Sequence, residues 1–164
     1  MYYENVKKRI IKELMDEISG IGAGELELVG HRVIETLEGQ KIVHHGLNKD
    51  YRPAGYTVDS FDQAGTIVGA YSVEAGYFDD SSTKNAPPEF KKIEKDFNGA
   101  LKHCSGDIKK LYLFSSQEEP PSFRAKFNNS PVFKNGRVSE IIIYDARELA
   151  KHIYEHSQEN QTAA

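Results

Sequence analysis

Cysteine is nearly absent from this chain: Cys104 stands alone among 164 residues. A lone cysteine excludes an intramolecular disulfide and any cysteine zinc cluster, and fits a reducing, cytoplasmic setting. Long apolar runs are missing too. None approaches the roughly 18–20 residues of a membrane span, and "MYYENVKKRI" has no apolar signal-peptide core. The expectation is a soluble, non-exported protein without a membrane partner. Neither a P-loop, a dinucleotide fingerprint nor a Ser-His-Asp pattern is present, which removes the commonest nucleotide and acyl-transfer signatures. Excess positive charge is lacking as well, since the net charge of −4 argues against a protein that coats nucleic acid without specificity.

What is present is an ordinary globular balance, 38% hydrophobic and 28% charged, at a length suited to one domain with a genuine core. Charge is unevenly spread. From Lys84 to Arg137 there are 11 basic against 6 acidic residues, so the rest of the chain is strongly acidic. Such a basic segment suits a phosphate-facing surface and equally suits solvated helix faces.

Periodicity divides the chain into alternating elements. Val6, Ile10, Ile11, Leu14 and Ile18 make one helical stripe, broken by "GIGAG". Leu26, Val29, Val33, Ile34 and Leu37 make a second stripe, closed by Gly39. "KIVHHGL" reads as a short strand and "NKDYRPAG" as a loop. Two strands follow, about 56–61 and 66–74, around the turn "DQAG". Beyond the polar loop "DDSSTKNAPP", Phe90, Ile93, Phe97, Leu101 and Cys104 recur at helical spacing. "KKLYLFS" and "SEIIIYD" read as strands, with loop and turn signals between them. Asp145 and Glu148 form a capping-box pattern for a last helix, and residues 156–164 read as a linker-like tail. The unit is therefore 1–155, with an N-terminal helix over 1–21 and a core over 24–155. Its predicted class is α/β: a three-layer sandwich with a mixed central sheet flanked by helices.

The chemistry gathers on the hairpin "GYTVDSFDQAGTIVGAYSVEAGYF", which carries Asp59, Asp62 and Glu74. Helix–strand–hairpin–helix–strand order with acids on the hairpin resembles the PD-(D/E)XK, or restriction-endonuclease-like, nucleases. In that family an acid opens the second strand, acid-x-Lys sits on the third, and a Glu often comes from the preceding helix. Mg²⁺ held by those carboxylates polarises the phosphodiester and activates water, and the lysine positions that water. The resemblance implies Asp59 and Glu74 as metal ligands, with Mn²⁺ as a substitute ion, and Glu27, favoured over Glu25, as the supporting helix acid. The third strand departs from the pattern, because Glu74-Ala75-Gly76 lacks the lysine. Turn arithmetic also sets Asp59 opposite Gly69 or Ala70, leaving Glu74 roughly 13 Å further along an ideal strand.

The phrase "RPAGYTVDSFDQAGTIVGAYSVEAGYFDD" is similar to the N-terminal effector nuclease domains of STAND-type antiphage NTPases of bacteria, over about residues 20–150. That resemblance implies an acid near 70 and a lysine near 75, making Ala70 and Ala75 lost catalytic positions, by natural loss or by replacement. It further implies DNA as partner, an attached NTPase and action as an oligomer. Lys49, Arg52, Lys84, Lys91 and Lys92 are the expected phosphate contacts, and Lys84, Lys91 or Lys92 is the alternative source of the missing lysine. The bland readings are turn-stabilising for Asp59 and Asp62, solvent-facing for Glu74, and core for Cys104. His44 and His45 point to opposite faces of a strand and do not share a site. The rival to an endonuclease is a non-catalytic nuclease-fold module that binds nucleic acid or mediates assembly.

Overall fold

The structure, a computed structural model, describes residues 2–40, 43–44, 60–61, 66–79, 89–103 and 107–163. Its elements run α1 (Tyr2–Ser19), α2 (Ala23–Glu38), β1 (Val43–His44), β2 (Ser60–Phe61), β3 (Ile67–Ser72), α3 (Lys91–His103), β4 (Ile108–Ser115), α4 (Phe123–Phe127), β5 (Val138–Tyr144) and α5 (Ala146–Ala163). The strands form one sheet in the order β1-β2-β3-β4-β5. The first three pair antiparallel as a meander, and β3, β4 and β5 are parallel. The chain has an α/β fold on a mixed sheet. Among the described residues no helix is long and apolar enough to cross a membrane.

Side-chain alternation along the strands assigns each helix to a layer. Val68 and Ala70 of β3 and Leu111 and Leu113 of β4 face one cluster, which Phe90, Ile93, Phe97 and Ala100 complete from α3 and its entry and Phe123 and Phe127 from α4. Ile67 of β3 and Tyr112 and Phe114 of β4 face the other, filled by Ile11 and Ile18 of α1, Leu26, Val33 and Ile34 of α2, and Leu149 and Ala150 of α5. Being covered on both faces, β4 reads as a near-continuous apolar run. Each fully buried Leu or Ile contributes about 1.5–3 kcal/mol of transfer free energy.

The approach of α2 to the sheet turns on Gly30. A Cβ there would lie 2.2 Å from the Tyr71 ring. Tyr71 cannot swing aside easily, because it stacks on Phe114 with centroids 5.0 Å apart. Gly30→Ala is therefore expected to destabilise the fold by about 1–3 kcal/mol, despite alanine's better helix propensity. Urea denaturation checks this, and an unchanged or raised midpoint would show that α2 is free to lift.

Asp145 caps α5 as expected: its carboxylate accepts the backbone N–H of Glu148 at 2.9 Å and that of Glu119 at 2.9 Å. Two boundaries differ from expectation. α5 continues to Ala163 through the segment read as a linker, since Gln, Glu and Ala sustain a helix once capping has started it. β3 ends at Ser72, two residues short of the expected 74. The expected strand positions 41–42, 45–47 and 56–59 lie outside the described residues, as does Cys104, and Thr66 stands just before the strand, which starts at Ile67.

Candidate functional site

The C-terminal end of β3 is where the chemistry-bearing side chains converge. The Ser72 hydroxyl accepts the backbone N–H of Glu74 at 3.2 Å, which turns the chain off the strand immediately after its last ladder position. Gly76 follows with φ +74, a left-handed conformation that costs glycine little. That turn drops Tyr77 and Phe78 into the apolar cluster beneath α3 and leaves Glu74 and Ala75 exposed. Glu74 is thus a turn acid and not the strand acid the alternation predicts; the Ser72 bond and Gly76 outweigh the strand pattern of "AYSVEA".

α3 meets this turn with its first two helical turns. The Lys92 ammonium donates to the carbonyl oxygen of Ala75. A Cβ on Gly76 would lie 2.6 Å from a carboxylate oxygen of Asp79 and 3.4 Å from Lys92 Nζ, so both charged groups close around that glycine. One helical turn further on, Asp96 accepts a hydrogen bond of 2.8 Å from the Tyr77 hydroxyl. The Asp96 carboxyl is pushed up from its ordinary 3.8 to about 6, chiefly by burial and to a lesser degree by the Glu74 charge, against the Tyr77 hydrogen bond and the Lys95 charge, which lower it. Tyr77 is pushed well above the usual phenol range, first by burial and then by Asp96 and Glu74. Lys91 is exposed at the start of the same helix.

Glu27 reaches this end of the sheet from the other layer. At the C-terminal end of α2, Glu38 accepts bonds from Lys110 at 3.0 Å and Tyr112 at 2.5 Å, residues in register with Ile67 and Gly69 at the start of β3. Gly30 lies over Tyr71 further along. The helix therefore runs antiparallel to β3, and its N-terminal turns, with Glu25 and Glu27, lie toward the end that carries Glu74. Lys92 and Asp96 approach from the opposite face.

Ala70 sits in the middle of β3, 1% exposed and packed in the apolar cluster. The hairpin register, Ser60 opposite Gly69 and Phe61 opposite Val68, agrees with the predicted turn arithmetic. Asp59, Asp62, Lys49, Arg52, Lys84 and His45 lie outside the described residues, and of His44 only the backbone pairing with Ser60 is described. Among the described residues no group of three or more His, Cys, Asp or Glu side chains is arranged to hold a metal ion. Glu74 is the exposed acid at the turn and Asp96 is engaged by Tyr77, so a hard divalent cation would need the hairpin acid as well.

Tyr77, Asp79 and Asp96 were not singled out by the sequence reading. The usable signal for Asp96 is its position flanking the inward stripe Ile93–Phe97 of an amphipathic helix, where an acid is costly unless partnered. A neighbouring cleft along Glu118, Glu119, Asp145 and Arg147 is structural: Arg124 holds Glu119 through two contacts of 3.2 and 3.0 Å, and Arg147 pairs with Glu118 at 2.6 Å.

Comparisons with protein-family models, with curated proteins and with solved structures found no match to this chain.

Proposed function

We propose that the chain is a restriction-endonuclease-like domain whose active end is the β3–α3 turn, acting on DNA as a Mg²⁺-dependent endonuclease effector in a bacterial antiphage system, with catalysis weakened or lost at Ala70 and Ala75. The observation that carries this reading is the delivery of the Lys92 ammonium to the Ala75 carbonyl, beside Glu74 and at the end of a helix–meander–helix–strand path. An ammonium at that place supplies the positive charge missing from Glu74-Ala75-Gly76. Asp59 and Glu74 would hold Mg²⁺, which supplies Lewis-acid polarisation of the phosphodiester and a lowered pKa of its bound water. Glu27 would support from α2. Lys91 stands exposed at the mouth of the turn, suited to a DNA phosphate, and Lys49, Arg52 and Lys84 are assigned the same role. A STAND-type NTPase on the same polypeptide is the proposed source of the activating signal.

One observation favours the rival, a non-catalytic nuclease-fold module. Ala70 is buried among aromatic and aliphatic side chains, a place where a carboxylate is costly unless a metal or a lysine compensates it. Metal binding separates the two. Mn²⁺ titration followed by calorimetry is expected to give one site per chain, with metal–oxygen distances of about 2.0–2.4 Å in a soaked crystal, removed by Asp59→Ala or by Glu74→Ala. A folded chain that takes up no Mn²⁺ at millimolar concentration would leave the binding module standing.

A further inference from the structure

A furrow of about 770 Å³ runs between α1 and α5, on the face of the sheet away from α3. Lys7 lies over the Tyr154 ring at 5.6 Å, whereas Arg147, two turns earlier on α5, lines the furrow together with Met15 and Asp16. The two helices therefore run antiparallel. The furrow follows α1 from Glu4 to Asp16, about 18 Å at the usual helical rise. Its floor is apolar: Ile11 is buried, and Met15 packs at the edge of the second cluster. Its rim is cationic. Lys8 and Lys12 stand one turn apart on α1, exposed and without an ion pair or hydrogen bond among the described residues. Lys151 lines the furrow from α5, with Glu148 no nearer than 3.8 Å. Of the acids on the rim, Glu118 is held by Arg147 at 2.6 Å, and Glu4 and Asp16 stand at the two ends of the α1 row. The middle of the furrow thus gathers the ammonium groups of Lys8, Lys12 and Lys151 above an apolar floor, in a chain whose net charge is −4.

We propose that this furrow binds an anionic amphiphile with one unbranched aliphatic chain. The chain lies along Ile11 and Met15, and the head group meets Lys8, Lys12 and Lys151. Size, shape and charge select that occupant. The volume falls within the range of small-molecule sites, about 300–1,000 Å³, which combine apolar walls with a few placed polar groups. Packed helices lie about 8–10 Å apart, axis to axis, so the space between them is narrow. A further polypeptide helix, about 10–12 Å across, does not sink into it, whereas an extended hydrocarbon chain does. Positive charge without a facing acid favours an anion there. The lysines serve both halves of such a ligand, because their methylene stems cover apolar surface while their ammonium groups stay at the rim. The site lies across the sheet from Lys92 and Asp96 and does not depend on the nuclease reading.

Dodecanoate is the probe, titrated into the intact chain and followed by calorimetry and by methyl NMR. It is expected to bind one molecule per chain in the micromolar range and to shift the Ile11 and Met15 methyl signals. A chain carrying both Lys8→Glu and Lys12→Glu should bind about tenfold more weakly with an unchanged circular dichroism spectrum, since both side chains are exposed. Lys102→Glu, exposed on α3 in the other layer, should leave binding unchanged. Dodecanol, the same chain without the charge, should also bind about tenfold more weakly. Failure to bind dodecanoate at millimolar concentration overturns the proposal. So does binding that leaves Ile11 and Met15 unshifted, or that is indifferent to the double charge reversal. Inorganic phosphate or duplex DNA that displaces dodecanoate at equal concentration overturns it as well, because charge alone would then account for the furrow.

Discussion

A chain carrying both Ala70→Glu and Ala75→Lys is expected to nick supercoiled plasmid in the presence of Mg²⁺, on the order of a hundred- to a thousandfold faster than the parent chain. The magnitude follows from what a positioned charge contributes when negative charge develops at the phosphate. Each position asks a different thing of the fold. Ala75 is exposed and its carbonyl already accepts the Lys92 ammonium, so a lysine side chain fits without repacking. Ala70 is 1% exposed, and a glutamate there adds volume and charge to an apolar cluster. The double variant should therefore be less stable without metal, by about 1–3 kcal/mol, and should regain stability as Mg²⁺ saturates the site. That rescue is a readout independent of cutting. Nicking should disappear with Asp59→Ala, and should weaken, without disappearing, with Lys92→Ala, because the installed lysine takes over its role. An artificially dimerised form belongs in the assay, to register cutting that requires two copies. If the folded variant neither cuts DNA or RNA nor gains stability with Mg²⁺, then 70 and 75 are not a disabled active site, and the binding module stands.

Most of the fold was legible because its elements announce themselves by period. The stripes at Leu26–Val33 and Ile93–Phe97, the apolar runs "LYLF" and "IIIY", and the Asp145 cap are local signals that tertiary packing reinforced. The short α4 was missed: five residues give no period, and Phe123 and Phe127 are held by stacking on each other, centroids 5.3 Å apart, and by edge-to-face contacts with Phe90. At the candidate site, Glu74 stands beyond the end of the third strand and not on it, because strand alternation continues in the sequence through Glu74 while the Ser72 hydroxyl ends the ladder. The union of Tyr77 with Asp96 spans 19 residues and two elements, and no local rule reaches that far. Lys92 was one of several lysines weighed as a phosphate contact or a replacement lysine. Choosing among them required knowing that α3 starts beside the β3 turn.

Asp96→Asn is expected to stabilise the protein at pH 7–8 and to flatten its pH dependence between about 4 and 6. The sign follows from which state holds the proton more tightly. Asp96 titrates near 6 in the folded protein and near its ordinary 3.8 when unfolded, so the folded state binds more protons across that window. The contribution to stability is full below pH 3.8 and is lost as pH rises through 6. One pKa unit corresponds to about 1.36 kcal/mol, and water at the partly exposed carboxylate reduces the whole effect to about 1–2 kcal/mol. Asparagine keeps an acceptor for the Tyr77 hydroxyl without the charge, so the cost above pH 6 disappears with it. Neighbouring groups should move the titration in predictable directions. Glu74→Gln should lower it by removing a nearby negative charge, whereas Lys95→Ala and Tyr77→Phe should raise it, since both partners favour the carboxylate. Carboxyl-carbon NMR titration of the parent chain measures the value directly, and denaturation at several pH values measures its consequence. An Asp96 that titrates below about 4.5, or an Asp96→Asn chain less stable at pH 8 than the parent, would mean that the carboxylate is satisfied as a structural partner of Tyr77. A raised value, with stability gained on neutralisation, is what distinguishes a charge retained beside Glu74 and Lys92 for a purpose other than folding.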